Sequence, residues 1–278
     1  MTLLEVLQST TAYFAKRGIE SPRLNAEHLL AHTLKRKRIE LYLDFERPLA
    51  EAELAPLRDL VRRRGLGEPL QHLLGTVEFA GRVFLCDKRA LVPRPETEEL
   101  VELLESKVQN PKSKILDVGT GSGVIALTLA AQFPEAEVHA VDISGDAMAL
   151  ARENAARLDL LERVRFAQGN LLEGIQGSFD LIVANLPYVP TTDRPTLSRE
   201  VLHDPEAAVF GGEHGDELIR ALIISAPDRM RAGGLLALEV GIGQADILAA
   251  LLAEKNYHDI ALIRDYGGVT RFLFGRYG

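Results

Sequence analysis

Cysteines and long apolar runs are both scarce in this chain of 278 residues. Its one cysteine, Cys86, cannot form an internal disulfide, which is typical of a protein in a reducing compartment. No apolar run approaches the roughly 18–20 residues that a membrane helix needs, so a membrane-spanning protein is excluded. The first residues also lack the basic region and the cleavage site of a signal peptide. We therefore expect a cytoplasmic protein.

Positive charge is also in short supply, because 32 Lys and Arg residues face 40 Asp and Glu residues. The net charge of −8 argues against a general nucleic-acid binder. The charge is unevenly distributed, because residues 1–90 carry a net charge of +3 and residues 91–278 a net charge of −11. Two basic runs, at 35–38 and 62–64, are either solvated helix faces or a means of guiding an acidic or ribosome-associated partner.

The apolar pattern changes along the chain and predicts more than one domain. Apolar residues spaced three and four apart predict a small helical bundle over residues 1–72. Two short apolar segments on either side of Ala80 and Gly81 predict a β-hairpin linker within 73–90. We assign residues 91–278 to a third region and expect it to be the catalytic domain.

Strands alternate with helices from about residue 95 onward. The pattern predicts strands over 114–118, 137–141, 164–167, 179–184, 235–240, 259–263 and 270–275. It predicts helices over 96–108, 122–132, 144–158, 215–230 and 244–254. This order is typical of an α/β fold with a doubly wound, mostly parallel sheet, here of seven strands.

A glycine-rich loop follows the first strand of that sheet and begins a helix. The loop reads Asp117-Val118-Gly119-Thr120-Gly121-Ser122-Gly123, and its glycines allow close approach of a ligand to the backbone. Asp142 ends the next predicted strand, where a carboxylate can accept both hydroxyls of a ribose. Alone, the loop is equally an ordinary tight turn. Together with Asp142 it predicts a nucleotide-type site at the carboxyl ends of the strands.

The glycine spacing departs from the dinucleotide-binding fingerprint. It resembles motif I of class I S-adenosylmethionine-dependent methyltransferases, with Asp142 in the place of motif II. The resemblance implies that the loop cradles the methionine part of the cofactor, that Asp142 holds the ribose, and that two residues after the third strand meet the adenine. The implied cofactor-binding residues are Gly119, Thr120, Gly121, Ser122, Gly123, Asp142, Asn170, Leu171 and Asn185.

The predicted strand 179–184 runs directly into Asn185-Leu186-Pro187-Tyr188. These residue types suit methylation of a planar nitrogen, whose lone pair is delocalised and therefore a poor nucleophile. If the Asn185 side-chain oxygen and the Leu186 backbone carbonyl hold its two hydrogens, the lone pair can point at a methyl donor. Pro187 presets the turn, and Tyr188 offers a flat face for stacking on the acceptor. The alternative is a plain strand end with a turn.

The Asn-x-Pro-Tyr motif is similar to that of methyltransferases acting on adenine N6 or on a glutamine side chain. Three further segments decide between them: Glu-Pro-Leu-Gln-His-Leu-Leu-Gly at 68–75, Val-Pro-Arg-Pro-Glu-Thr-Glu at 92–98, and Leu-Glu-Val-Gly-Ile-Gly-Gln at 238–244. With the glycine loop and residues 185–188 they resemble the peptide chain release factor glutamine N5-methyltransferase family, the HemK/PrmC proteins. The resemblance covers nearly the whole chain.

This resemblance implies methyl transfer from S-adenosylmethionine to the glutamine of the Gly-Gly-Gln motif in class 1 release factors. The implied catalytic residues are Asn185, Pro187 and Tyr188, and the implied substrate-binding residues are Asn185, Leu186, Pro187 and Tyr188. Two positions depart from the commoner family pattern: Leu186 stands where proline is usual, and Asp204 where glutamate is usual. The bond expected from residue 186 uses its backbone carbonyl, so leucine still supplies it. We assign no catalytic role to Asp204.

Several residues have a structural interpretation. Arg94 and Glu98 either line the cofactor pocket or cap the helix that begins there. Glu239 is interpreted as a plain strand-end residue, and Cys86 as a packed one. The seven histidines are scattered without ligand spacing, so we expect no metal.

The expected partners are class 1 release factors, with the basic runs of residues 1–72 helping to seat them. We expect a monomer that binds neither nucleic acid nor a membrane directly. Three alternatives remain at this point: an adenine N6-methyltransferase, a non-catalytic S-adenosylmethionine-binding module, and an oxidoreductase built on a similar sheet. The acidic catalytic half disfavours the first, and the glycine spacing disfavours the last.

Overall fold

A computed structural model describes residues 1–108 and 110–278 of the chain. These residues divide into two units by their contacts: one holds Met1–Thr76 and Ser198–His203, and the other holds Val77–Leu197 and Asp204–Gly278. The predicted functional division into 1–72, 73–90 and 91–278 is not tested by these contacts and stays a prediction. Within the described residues, we find no helix with the length and apolar character that crossing a membrane requires.

The first unit is built from helices, as the apolar spacing predicts. Its helices are α1 (Leu3–Lys16), α2 (Pro22–Leu34), α3 (Arg38–Leu41), α4 (Glu51–Gly65) and α5 (Leu70–Leu74). Thr2 and Glu5 form a capping box at the start of α1. The side chain of each residue accepts a hydrogen bond from the backbone N–H of the other. The core of this unit includes Leu3, Leu7, Phe14, Leu29, Leu30 and Leu41, all almost fully buried.

The second basic run pairs with carboxylates of its own unit. Arg62 bonds to Asp59 at 2.8 Å, and Arg63 bonds to Glu68 at 2.5 Å. Arg64 is buried and donates from Nη2 to Glu200 at 2.7 Å. These contacts favour a structural interpretation of the run at 62–64.

A hairpin and a seven-stranded sheet account for the strands that periodicity predicts. The hairpin strands are β1 (Thr76–Phe79) and β2 (Arg82–Leu85), and both turn residues, Ala80 and Gly81, have positive φ. The sheet strands are β3 (Lys114–Val118), β4 (Glu137–Asp142), β5 (Val164–Gln168), β6 (Phe179–Asn185), β9 (Met230–Glu239), β10 (Tyr257–Arg264) and β11 (Thr270–Tyr277). A short separate pair, β7 (Val189–Pro190) and β8 (Phe210–Gly212), was not expected from the sequence.

The sheet has the order β10-β11-β9-β6-β3-β4-β5. The five strands from β9 to β5 run parallel, and β11 is antiparallel to both of its neighbours. The predicted α/β fold class is therefore confirmed. The strand order reverses at β3, which lies between β6 and β4, and ligands of such sheets bind in the crevice at that reversal.

The helices of this unit are α6 (Pro95–Glu105), α7 (Val124–Gln132), α8 (Gly145–Arg157), α9 (Glu206–Val209), α10 (Glu217–Ser225) and α11 (Ala245–Glu254). All five predicted helices are shorter than expected, and two of them end at least three residues early. The helix expected over 96–108 ends at Glu105, where the Ser106 hydroxyl bonds to the Leu103 carbonyl. The helix expected over 215–230 gives way to a 3₁₀ turn containing Pro227, which has no N–H to continue the helix.

Candidate active site

A cavity of about 350 Å³ lies among the segments that follow β3, β4, β5 and β6. This is the size range of sites for small organic ligands. Of the site residues predicted from sequence, the lining includes Gly119, Thr120, Gly121, Ser122, Asp142, Asn170, Leu171, Asn185, Leu186 and Pro187. Two predicted residues, Gly123 and Tyr188, lie outside this lining.

The glycine loop is held against the end of the neighbouring strand. The backbone N–H groups of Gly119 and Thr120 both donate to the Val141 carbonyl, at 2.8 and 3.0 Å. Gly119 has φ of +74°, and a Cβ there would lie 2.8 Å from the Leu186 Cδ2 atom. Glycine is therefore required both by the backbone conformation and by the close packing of Leu186.

Gly123 serves the packing of two helices. It precedes α7 with φ of +85°, and a Cβ there would lie 3.2 Å from the Cβ of Ala151 on α8. A direct contact between Gly123 and a cofactor stays a prediction.

Asp142 ends β4 and fixes two backbone groups at the cavity. Its Oδ2 accepts from the Gly121 N–H at 2.8 Å, and its Oδ1 accepts from the Ser144 N–H at 2.9 Å. A carboxylate oxygen can accept two hydrogen bonds, so each oxygen keeps capacity for one more. The geometry therefore suits a ligand with two adjacent hydroxyls.

Asp117 lies fully buried beneath the glycine loop. Its Oδ2 accepts from the Thr120 hydroxyl at 2.6 Å and from the Ala126 N–H at 3.1 Å. Its Oδ1 is buried and has no hydrogen-bond partner among the described residues. Burial raises the pKa of Asp117 to about 7, against the opposing effect of the two donors.

Asn185 ends β6 and takes part in a buried chain of polar groups. Its Nδ2 donates to the Thr97 hydroxyl oxygen at 2.9 Å, and that hydroxyl donates to Glu239 Oε2 at 2.8 Å. The Tyr188 hydroxyl approaches Glu239 Oε1 at 3.4 Å. Burial raises the pKa of Glu239 to about 7 and raises that of Tyr188 above its ordinary value.

Thr97 and Glu239 were not expected to contact the site. Glu239, interpreted from sequence as a plain strand-end residue, is 1% exposed and bonded to Thr97. The available signal was a single acid in the otherwise apolar segment 235–240, just before the turn at 241–244. Burying such a carboxyl is costly unless it has partners, so its presence implied a polar network.

Tyr188 has its ring beneath Arg271, 5.9 Å from the guanidinium carbon, and its backbone carbonyl accepts from Gln244 Nε2 at 3.0 Å. These contacts with Arg271 and Gln244 fix the Tyr188 end of the turn at 185–188. Stacking of Tyr188 on a substrate stays a prediction.

One wall of the cavity comes from residues 205–218, to which sequence reasoning gave no role. Asp204 fixes its start, because its buried side chain accepts from the Val92 N–H at 3.2 Å and from Arg94 at 2.8 Å. Arg94 lines the cavity and is also the N-cap residue of α6, where its side chain makes no capping hydrogen bond, so its contact with a cofactor stays a prediction. Glu98 instead accepts from the Ala80 N–H at 2.9 Å and so binds the hairpin turn.

Cys86 is buried, as predicted. Among residues 1–108 and 110–278, no group of three or more His, Cys, Asp or Glu side chains is arranged to hold a metal ion.

Two family descriptions match the chain: "PrmC N-terminal domain" over residues 5–75 and "Methyltransferase small domain" over residues 95–213. The release factor glutamine methyltransferase of Geobacter sulfurreducens is 40% identical over 279 residues, which cover 100% of this chain and 97% of that protein. The chain belongs to the release factor glutamine methyltransferase family. The resemblance stated from the sequence motifs is thereby confirmed.

A second relative agrees with this membership, and a solved structure agrees with the fold. The release factor glutamine methyltransferase of Deinococcus radiodurans is 43% identical over 278 residues and covers 99% of both chains. The solved structure of a T. thermophilus 16S rRNA methyltransferase in complex with AdoMet and guanosine is similar with a TM-score of 0.54. That likeness covers 73% of this chain and 50% of the other at 19% identity, so it supports the fold alone.

Proposed function

We propose that this chain transfers a methyl group from S-adenosylmethionine to the side-chain nitrogen N5 of the glutamine in the Gly-Gly-Gln motif of class 1 release factors. The observation that carries the proposal is the place of Asn185. It lies on the cavity lining with the glycine loop and Asp142, and its Nδ2 group is turned toward Thr97, to whose hydroxyl oxygen it donates. The carboxamide oxygen is therefore the group that Asn185 offers to an incoming amide.

The cavity fits S-adenosylmethionine on the residues present. Asp142 keeps one acceptor position on each oxygen, which matches the two hydroxyls of a ribose. Gly119 and Gly121 line the cavity and carry no side chain, so a ligand can approach the loop backbone closely. Asn170 and Leu171 line the same cavity after β5, where an adenine is expected. When bound, the cofactor supplies a methyl group activated by a positively charged sulfur.

The residues at 185–188 act on the glutamine amide. The Asn185 Oδ1 and the Leu186 carbonyl accept one hydrogen each, which removes the planar nitrogen from conjugation and directs its lone pair at the methyl group. Pro187 fixes the turn that places these two acceptors, and Tyr188 provides a face for the substrate. A strong general base is not required, since the proton can leave after methyl transfer.

The narrower features of the partner are also part of this proposal. We expect the exposed run at 35–38 on the helical unit to contact the release factor, because all four of its side chains are solvent-exposed. We expect a cytoplasmic monomer that makes no direct contact with nucleic acid. The net negative charge of residues 91–278 supports the last point.

Mass spectrometry of a class 1 release factor after reaction with isotopically labelled S-adenosylmethionine tests the proposal. We expect one added methyl group, on the tripeptide glutamine, and a rate lower by roughly 10²–10³-fold for Asn185→Ala. A release factor with alanine in place of that glutamine is the matched substrate control and should gain no label. If DNA adenine gains the label and the release factor gains none, the proposal is overturned in favour of an adenine N6-methyltransferase.

A further inference from the structure

We propose that Thr97 and Glu239 are positioning residues that set the direction of the Asn185 carboxamide, so that its oxygen rather than its NH₂ group meets the substrate amide. The inference rests on the proposed function and extends it to two side chains outside the Asn-Leu-Pro-Tyr motif. Neither residue is assigned a role in the reaction by the sequence motifs.

The three residues meet because of the sheet register. Asn185 and Glu239 are direct partners on the adjacent parallel strands β6 and β9. Thr97 comes from the first turn of α6 and bridges them with bonds of 2.9 and 2.8 Å. Thr97 is 3% exposed and Glu239 is 1% exposed, so water does not compete freely for these bonds.

The number of protons shared by Asn185, Thr97 and Glu239 fixes the direction of the hydrogen bonds between them. An ionised carboxylate at Glu239 can only accept, so the single hydroxyl proton of Thr97 points toward it. The Thr97 oxygen then has lone pairs and no proton for Asn185, and it accepts from Nδ2. A rotated carboxamide would place its oxygen against the Thr97 oxygen and its NH₂ against the NH₂ of the substrate glutamine. Both contacts would be repulsive.

Protonation of Glu239 would remove this preference. A carboxylic acid can donate to Thr97, and the Thr97 proton is then available to the oxygen of a rotated Asn185. Burial is the main cause that raises the pKa of Glu239 to about 7, and the charge of Glu96 acts in the same direction. The hydrogen bonds from Thr97 and Tyr188 and the charge of Arg271 oppose this rise. Turnover should therefore rise as the pH increases through about 7.

The first test compares Thr97→Val with Thr97→Ser. Valine keeps the shape of threonine and removes its hydroxyl, so we expect kcat to fall by about 10–100-fold, the range for a misplaced catalytic group. Serine keeps the hydroxyl and should recover at least about a third of the wild-type kcat. The dissociation constant of S-adenosylmethionine, measured in parallel, should change less than kcat in Thr97→Val: Thr97 lines the cavity, but Asp142 and the glycine loop are untouched.

Thr128→Val is the matched control. Thr128 is fully buried in α7, and its hydroxyl has no hydrogen-bond partner among the described residues. This variant also loses a buried hydroxyl, yet its kcat should stay within about twofold of wild type. Equal losses in Thr97→Val and Thr128→Val would overturn the inference and leave Thr97 a structural residue.

The pH dependence of kcat in Glu239→Gln separates a positioning role from a structural one. Glutamine does not titrate, so the rise of kcat through about pH 7 should disappear, while a rise that persists would overturn the role of Glu239. Because Glu239 acts through Thr97, the double variant Thr97→Val/Glu239→Gln should be no slower than Thr97→Val alone. A wild-type protein that leaves the release factor unmethylated contradicts the proposed function, whereas an active wild type with an equally active Thr97→Val contradicts only this inference.

Discussion

Leu186 Cδ2 fills the space beside Gly119, only 2.8 Å from where a Cβ at that position would lie. The loop proposed to hold the cofactor and the motif proposed to hold the glutamine are thus in direct contact. This apolar packing joins the two proposed binding elements. It also explains why a side chain at Gly119 would disturb both sites at once.

Gly119→Ala should reduce methyl transfer by more than about tenfold, because the loop and Leu186 must move apart. Enzyme kinetics measure the loss of methyl transfer, and calorimetric titration measures any change in the binding of S-adenosylmethionine. Gly18→Ala is the matched control, since Gly18 has nearly the same φ, +72°, but open space where its Cβ would lie. Both variants carry strain of about 1–2 kcal/mol from the left-handed backbone, and only Gly119→Ala should lose activity. Equal activity in the two variants would contradict the contact described above.

The sequence was sufficient for the sheet and for the glycine loop, because both depend on local patterns. All seven predicted strands are present, and Asp142 and Asn185 both lie on the cavity lining. Local pattern could not reveal the bond from Thr97 to Glu239, since it arises from the register of β6 against β9 and from the placement of α6. The wall at 205–218 was missed for the same reason, because Asp204 and Arg94 come together only in the folded chain.

The exposed basic run at 35–38 should act on binding of the release factor and not on chemistry. We expect Lys35→Glu with Lys37→Glu to raise KM for the release factor by about fivefold while kcat stays within about twofold, with a smaller effect in high salt. Lys112→Glu with Arg157→Glu changes the net charge equally on exposed positions elsewhere and serves as the control. A similar rise in KM for both double variants would indicate a general charge effect and contradict a specific contact.

Cys86 should react slowly with alkylating agents in the folded protein. Burial, with the nearby charges of Asp204 and Asp87, raises the pKa of the Cys86 thiol to about 12. The reactive thiolate is therefore rare at pH 8, and we expect iodoacetamide to label the folded protein at least about 10²-fold more slowly than the protein in denaturant. Mass spectrometry measures the labelling rate in each state. Comparable rates in the two states would show that the thiol is accessible and ionised in the folded protein.

The buried carboxyl of Asp117 should make the folded protein less stable as the pH rises. Its pKa is raised from 3.8 in the reference state to about 7 in the folded protein, so between these values the folded state binds more protons than the unfolded state. The free energy of unfolding therefore decreases as the pH increases from about 4 to about 7. Asn at this position cannot titrate, and its amide oxygen can still accept from Thr120 and Ala126.

We therefore expect the free energy of unfolding of Asp117→Asn, relative to wild type, to increase by about 2–4 kcal/mol between pH 5 and pH 8. Urea unfolding at a series of pH values measures this difference. Glu51→Gln is the control, because Glu51 is exposed on α4 and its pairing with Arg58 lowers the pKa of the carboxyl. A group with a lowered pKa stays ionised in both states above pH 5, so Glu51→Gln should show no comparable change. If the Asp117→Asn difference is also flat with pH, the carboxyl of Asp117 is ionised throughout, and a cation or ordered water must satisfy its second oxygen.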